Sequence, residues 1–201
     1  GVDRASRYIC VNADVKGKDG DSVALTVTEN EDVSGFMVLQ GEAYDSESAD
    51  GIWLSDSYAG ANNIAVGDKL TLEYKNFEIK GEVKGLIKAS EHMVCVRDET
   101  QIMPDYDTYG YAYISPKFYE KAAGFEYYPQ INVISDMDKK AFTDKVDDKL
   151  DRTLLILSKD ENTSYAGADS EIEEGKTMGS ILPVLFLLIA VLTMVTTMHL
   201  S

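Results

Sequence analysis

GIWLSDSYAGANNIAVGDKLTLEYKNFEIKGEVKGLIK, residues 51–88, is the stretch on which the fold turns. Ile52-Trp-Leu54 is an apolar run with β-branched and aromatic side chains, which predicts a strand. Ser55 is a natural N-cap for a short helix-compatible segment reaching Asn63. Ile64-Ala-Val-Gly-Asp68 follows, with Gly67 suited to a tight turn ahead of the strand Lys69–Tyr74. Lys75-Asn76 then predicts a hairpin turn, and Phe77 to Ile87 its long return strand. The stretch reads as a β-rich unit and not as a catalytic site.

Toward the N-terminus, Arg7-Tyr-Ile-Cys-Val-Asn-Ala-Asp-Val15 has strand composition, Lys16–Asp21 is made of turn residues, and Ser22–Thr28 alternates as a second strand. A β-hairpin is the simplest account. Asp14, Asp19 and Asp21 raise the question of calcium, but their spacing misses the EF-hand pattern and no Glu closes the loop, so they read as a solvated turn. The chain opens without an initiator Met and goes straight into this strand, as a segment of a longer protein would.

Toward the C-terminus, Pro116 to Gly124 predicts a short helix with Pro in its first turn and Gly as its stop. Gln130–Ser135 is a strand by composition. Ser135 with Asp138 is spaced as a capping box, and Phe142, Val146 and Leu150 recur at i, i+4, i+8 on one face of a helix. Leu154–Leu157 is expected to complete a β-α-β unit. Glu171–Thr177 then leads, as a stalk with possible hinges at Gly175 and Gly179, into Met178–Leu200, a run without Asp, Glu, Lys or Arg. Its roughly 23 residues would reach about 34 Å as a helix, enough for a hydrocarbon core of about 30 Å. The run predicts a transmembrane helix, and a chain this size has little core in which to hide it otherwise.

All 19 Lys and Arg and all 35 Asp and Glu precede that run, so the net charge of -16 belongs to the first ~176 residues. Such a surface repels phosphate backbones and makes nucleic acid an unfavourable partner. A large acidic domain meets little resistance to export, which places residues 1–176 outside the cell. Cys10 and Cys95 each sit in an apolar strand-like run, so buried free thiols are expected, with a disulfide as the alternative in an oxidising compartment.

Little in the chain points to catalysis. The soluble part has His92 alone as a histidine, no G-x-S-x-G elbow and no G-x-x-x-x-G-K-[ST] loop, so neither Ser–His catalysis nor Walker-type ATP binding is expected. Cys10, His92 and Cys95 do not have the spacing of a zinc site. His92 reads as an ordinary surface residue beside Glu91. Asp105-Tyr-Asp-Thr-Tyr-Gly-Tyr-Ala-Tyr113 alternates aromatics with carboxylates, and Tyr106 and Tyr109 are candidate ligand contacts for a sugar or peptide. The competing reading is a Tyr-rich loop running into a half-buried strand. No catalytic residue, cofactor or metal is expected, and the chain is not read as an enzyme.

The order of apolar strand, short helix with Ala59, Val66-Gly67-Asp68, strand Leu70–Tyr74 and Phe77–Ile87 resembles the extracytoplasmic core domain of FtsX-like, MacB-like ABC transporter permeases. Tyr113-Ile-Ser-Pro-Lys-Phe-Tyr119 is similar to that family's later strand and short helix, and Met178–Phe186 to the start of its second transmembrane helix. The resemblance implies an α+β fold, with a membrane-proximal α/β subdomain from residues 1–38 and 111–175, a β-rich subdomain inserted at 39–110, and a stalk end and membrane helix at 176–201. Val66, Gly67 and Asp68 would be a structural turn. It further implies a bacterial plasma-membrane protein that couples cytoplasmic ATP hydrolysis, on a separate ATPase chain, to export or extraction of peptides, lipids or lipoproteins, or to mechanical signalling. A second permease half or protomer and the bilayer would be its other partners. A single-pass sensor or adhesin is the alternative, and what flanks residues 1 and 201 in the gene separates the two.

Overall fold

The computed structural model describes residues 2–92, 95–97, 100–101, 103–150, 154–158, 161, 176–177, 179, 181, 183, 186–187 and 189–190. In chain order the elements are β1 (Val2–Val15), β2 (Ser22–Thr28), α1 (Glu31–Ser34), β3 (Phe36–Gly41), β4 (Gly51–Ser55), α2 (Asp56–Ala61), β5 (Lys69–Tyr74), β6 (Phe77–Ala89), β7 (Tyr109–Ile114), α3 (Pro116–Ala123), β8 (Gln130–Ser135) and α4 (Lys139–Asp147), with a 3₁₀ turn at Ser90–His92. This is a mixed α/β architecture dominated by one eight-stranded sheet.

The strand order is β2-β7-β4-β6-β5-β1-β8, and β1 also pairs with β2. That extra ladder, Tyr8 with Thr28 through Asp14 with Ser22, closes β2-β7-β4-β6-β5-β1 into a hydrogen-bonded ring. Closure removes sheet edges, where unpaired N–H and C=O groups would otherwise face solvent. β2 runs parallel to β7 and β4 parallel to β6, while the two hairpins are antiparallel. β3 and β8 extend the ring by pairing with the far ends of β6 and β1. Strands drawn from residues 1–38, 39–110 and 111–175 therefore share one sheet, and residues up to Ile156 form one compact unit.

Alternation along the strands builds two cores. Ala13, Val23, Leu25, Ile52, Leu54, Leu72, Ile79 and Ala112 come from every strand of the ring and pack together, and Tyr58 and Ala59 of α2 with Phe118 and Tyr119 of α3 join the same cluster. The opposite faces carry Trp53, Ile87, Tyr109, Tyr111 and Tyr113, which Phe36 of β3 and Cys95 cover. Trp53 and Ile52 fall on opposite sides, and a β-bulge between them shifts the β4–β6 register so that the large indole can sit over Gly85.

The local signals act mostly where the sequence places them. Gly67 has φ +97° and Lys75, in the β5–β6 turn, φ +53°. Ser115 caps α3 by accepting from Phe118 N at 2.9 Å, and Gly124 ends it in the left-handed region. Of two further capping expectations, Ser55 holds in position but without the side-chain bond, and Ser135 fails. Ser55 precedes α2 but accepts no bond from it, because its Oγ takes Tyr111 N at 3.3 Å instead. Asp138, not Ser135, caps α4, accepting from Ala141 N at 2.9 Å, while Ser135 Oγ accepts from Met137 N. Leu150 lies past the end of α4 and is exposed.

The expected β-α-β unit does not close. Leu154–Leu157 has no strand assignment and its three leucines are exposed. β8 pairs with β1 among the described residues, so no neighbouring strand holds that segment in register. In the second unit, Leu157–Ser201, the nine described residues between Lys176 and Ala190 are helical, with Ile181, Phe186, Leu187 and Ile189 exposed. The rest of Met178–Leu200, and residues 171–175 of the expected stalk, lie outside the described residues. Among the described residues no helix is long and apolar enough to cross a membrane.

Candidate functional site

The richest cluster of polar chemistry lies where Ser90–His92 folds back over β1, β2 and β7. Odd positions of β7 point to this side, bringing Tyr109, Tyr111 and Tyr113 into a row. Even positions of β1 add Tyr8, Cys10 and Asn12. Glu91 is the hub: its Oε2 accepts from Tyr113 OH at 2.9 Å and from Tyr8 OH at 3.2 Å. No basic side chain pairs with it among the described residues, so burial outweighs the two phenol bonds and raises its pKa above the usual carboxylate range. Burial likewise drives the Tyr8 and Tyr113 phenols upward, and the neighbouring Glu91 charge pushes the same way.

His92 is not the surface residue its sequence context suggested. Its ring stacks on Tyr111 at 4.6 Å and 14°, and meets Tyr113 edge-on. Nε2 is buried without a hydrogen-bond partner among the described residues, and burial lowers the imidazole pKa to about 4. Thr26 Oγ1 on β2 is a second buried polar atom of that kind among the described residues. Two adjacent residues of one turn, an acid and a base, are thus both held toward their uncharged forms against an aromatic wall.

Tyr106 and Tyr109 separate. Tyr106 is 37% exposed, whereas Tyr109 is 5% exposed, donates to Asn12 Oδ1 at 2.9 Å and lies under the Arg97 guanidinium at 5.5 Å. Arg97 also donates to Gly20 O and Thr108 O, fastening the β1–β2 turn to the Tyr-rich segment. Tyr109 is therefore a core side chain; Tyr106 alone of the pair has surface to offer. Val66-Gly67-Asp68 forms a closed turn: Gly67 N donates to Val83 O at 2.8 Å and the Asp68 carboxylate accepts from Ala65 N at 2.8 Å. It locks the approach to β5 onto β6.

Of the acidic trio, Asp21 is buried and accepts from Tyr58 OH at 2.8 Å, so it serves the α2 contact and not a solvated turn. Both cysteines are free; Cys95 is buried but Cys10 is exposed, because Ile9 and Ala13 take the core face of β1 and Cys10 falls on the other. No group of three or more His, Cys, Asp or Glu able to hold a metal occurs among the described residues. The Glu91–His92 pair, Arg97 and the β2–β7 and β1–β5 pairings of the ring had no sequence signal beyond residue type, since each depends on strands distant in the chain.

No protein-family model and no curated protein matches the chain. Among solved structures it is similar to the extracellular domain of the noncanonic ABC-type transporter YknZ from Gram-positive bacteria, with a TM-score of 0.48 and 12% identity over 71% of this chain and 70% of that one.

Proposed function

We propose that this chain is the extracellular domain, with the membrane helix that follows it, of an FtsX-like or MacB-like ABC transporter permease. The observation that carries the reading is the order of elements from Gly51 to Ala89, which is the order the family resemblance implies: strand, short helix, a closed Val66-Gly67-Asp68 turn, then a hairpin whose return strand is long. The charge-free run after an acidic domain supports the membrane half of the reading. On this reading the first unit is a rigid body that moves with the membrane helices as a separate cytoplasmic ATPase turns over, and it exports, extracts or signals without chemistry of its own. Residues 1–38 with 111–175 lie nearest the bilayer and 39–110 farther out.

The test is made on the whole gene product in membranes. Protease added outside intact cells should cut the domain, and affinity purification should bring down an ABC ATPase whose hydrolysis rate depends on it. A signalling domain encoded beyond residue 201, with no ATPase recovered, would establish the sensor alternative instead.

A further inference from the structure

The N-terminal half of β1 and β8 leave the ring as a two-stranded ribbon, Val2 with Ser135 through Tyr8 with Gln130. Val2–Ala5 and most of β8 are exposed, so neither face of the ribbon is well covered, and ribbons of two strands are marginal in water. The outer edge of β8 has no strand partner among the described residues. Native edges are ordinarily guarded by Lys, Pro or a bulge. β8 is Gln-Ile-Asn-Val-Ile-Ser, without a charge in a chain of net charge -16, and it exposes Ile131 at 65%, Val133 at 37% and Ile134 at 39%.

We propose that this edge pairs antiparallel with β8 of a second copy of the chain, making a four-stranded β1-β8-β8-β1 sheet across a two-fold axis. A partner recruited by charge would be drawn to the acidic surface; the uncharged seam selects an equally uncharged apolar strand, and the chain itself supplies one. The repulsion of the remaining acidic surfaces is screened beyond about 8 Å at physiological salt. A two-fold normal to the sheet must pass midway between the two copies of one residue, so that facing side chains share a side. Centred on Asn132, it sets Ile131 opposite Val133 twice on one face and Asn132 opposite Asn132 on the other, aliphatic and amide pairs that stabilise cross-strand contacts. This inference does not depend on the transporter reading.

The full chain in detergent, in a Cys10→Ser background, tests it. Under mild air oxidation Asn132→Cys should give a disulfide-linked dimer at least about tenfold faster than Gln130→Cys, since only residue 132 faces itself at disulfide distance. Ile131→Lys with Val133→Lys should abolish that cross-link while leaving Trp53 fluorescence unchanged. Equal rates for the two cysteines, a monomer in which other residues of the same chain protect the β8 amides from exchange, or a dimer indifferent to the lysines would each overturn it.

Discussion

Replacing Gly110 with alanine should damage the junction of α2 with β7, and the same change at Gly60, two residues beyond Tyr58, should help. A Cβ on Gly110 would lie 2.5 Å from Tyr58 Cβ and 2.8 Å from both Tyr58 Cγ and Ser55 Oγ. Neither neighbour can swing aside: Tyr58 is fully buried with its hydroxyl on Asp21, and Ser55 Oγ is held by Tyr111 N. Ordinary contact begins near 3.4 Å, so α2 must retreat from β7 by about 1 Å, and overpacking of this kind costs ~1–3 kcal/mol. The less flexible unfolded chain returns about 0.4–1 kcal/mol, leaving a net loss of about 1 kcal/mol for Gly110→Ala. At Gly60 a Cβ meets nothing within 4 Å and the site is exposed and helical, so alanine should gain about 0.5–1 kcal/mol. Urea unfolding followed by the single tryptophan, buried Trp53, measures both. Gly110→Ala proving neutral, or the two variants shifting in the same direction, would refute the packing argument.

The imidazole of His92 titrates at about 4 in the fold against about 6.5 in the unfolded chain. The unfolded state therefore binds the extra proton as pH falls from 6.5 toward 4, and stability drops across that window. His92→Gln should flatten this limb in urea midpoints taken between pH 7 and 4; an unchanged slope contradicts it. Glu91 acts in the opposite sense, because its raised pKa makes stability fall as pH climbs through its titration, and Glu91→Gln should remove that fall. Tyr113→Phe takes away the shorter of the two bonds to the Glu91 carboxylate and should cost about 1–3 kcal/mol at pH 7, more than Tyr8→Phe, by the same unfolding assay. Tyr109→Ala should lose about 3 kcal/mol as a buried aromatic truncation, while Tyr106→Ala stays within about 0.5 kcal/mol; comparable losses would mean that Tyr106 is packed.

Local elements were legible because their causes are local. The β1–β2 and β5–β6 hairpins announce themselves by alternation and turn residues, and α3 by Ser115-Pro116 at one end and Gly124 at the other. Phe36–Gly41 carries no such signal: its pairing with β6 has a register shift after Val38, and exposed residues follow, so no clean period of two survives. Leu154–Leu157 erred the other way, since an apolar run becomes a strand only when a neighbour offers hydrogen bonds. The interior position of His92 is not legible locally, because its stacking on Tyr111 depends on β7, whose residues lie well beyond it in the chain.

The sequence by itself determined the charge division, the apolar C-terminal run, the turns and most strands, since these follow from side-chain chemistry over a few residues. Tertiary structure alone decided that β1 pairs with β5 and β8 in addition to its hairpin partner β2 and so completes the ring, that Asp21 and Tyr109 are interior, and that Glu91 and His92 lie against the tyrosine face. The physical reason is that ladder partners and burial are set by backbone hydrogen bonds and desolvation between segments far apart in the chain. No window of residue types encodes which distant strand will supply them.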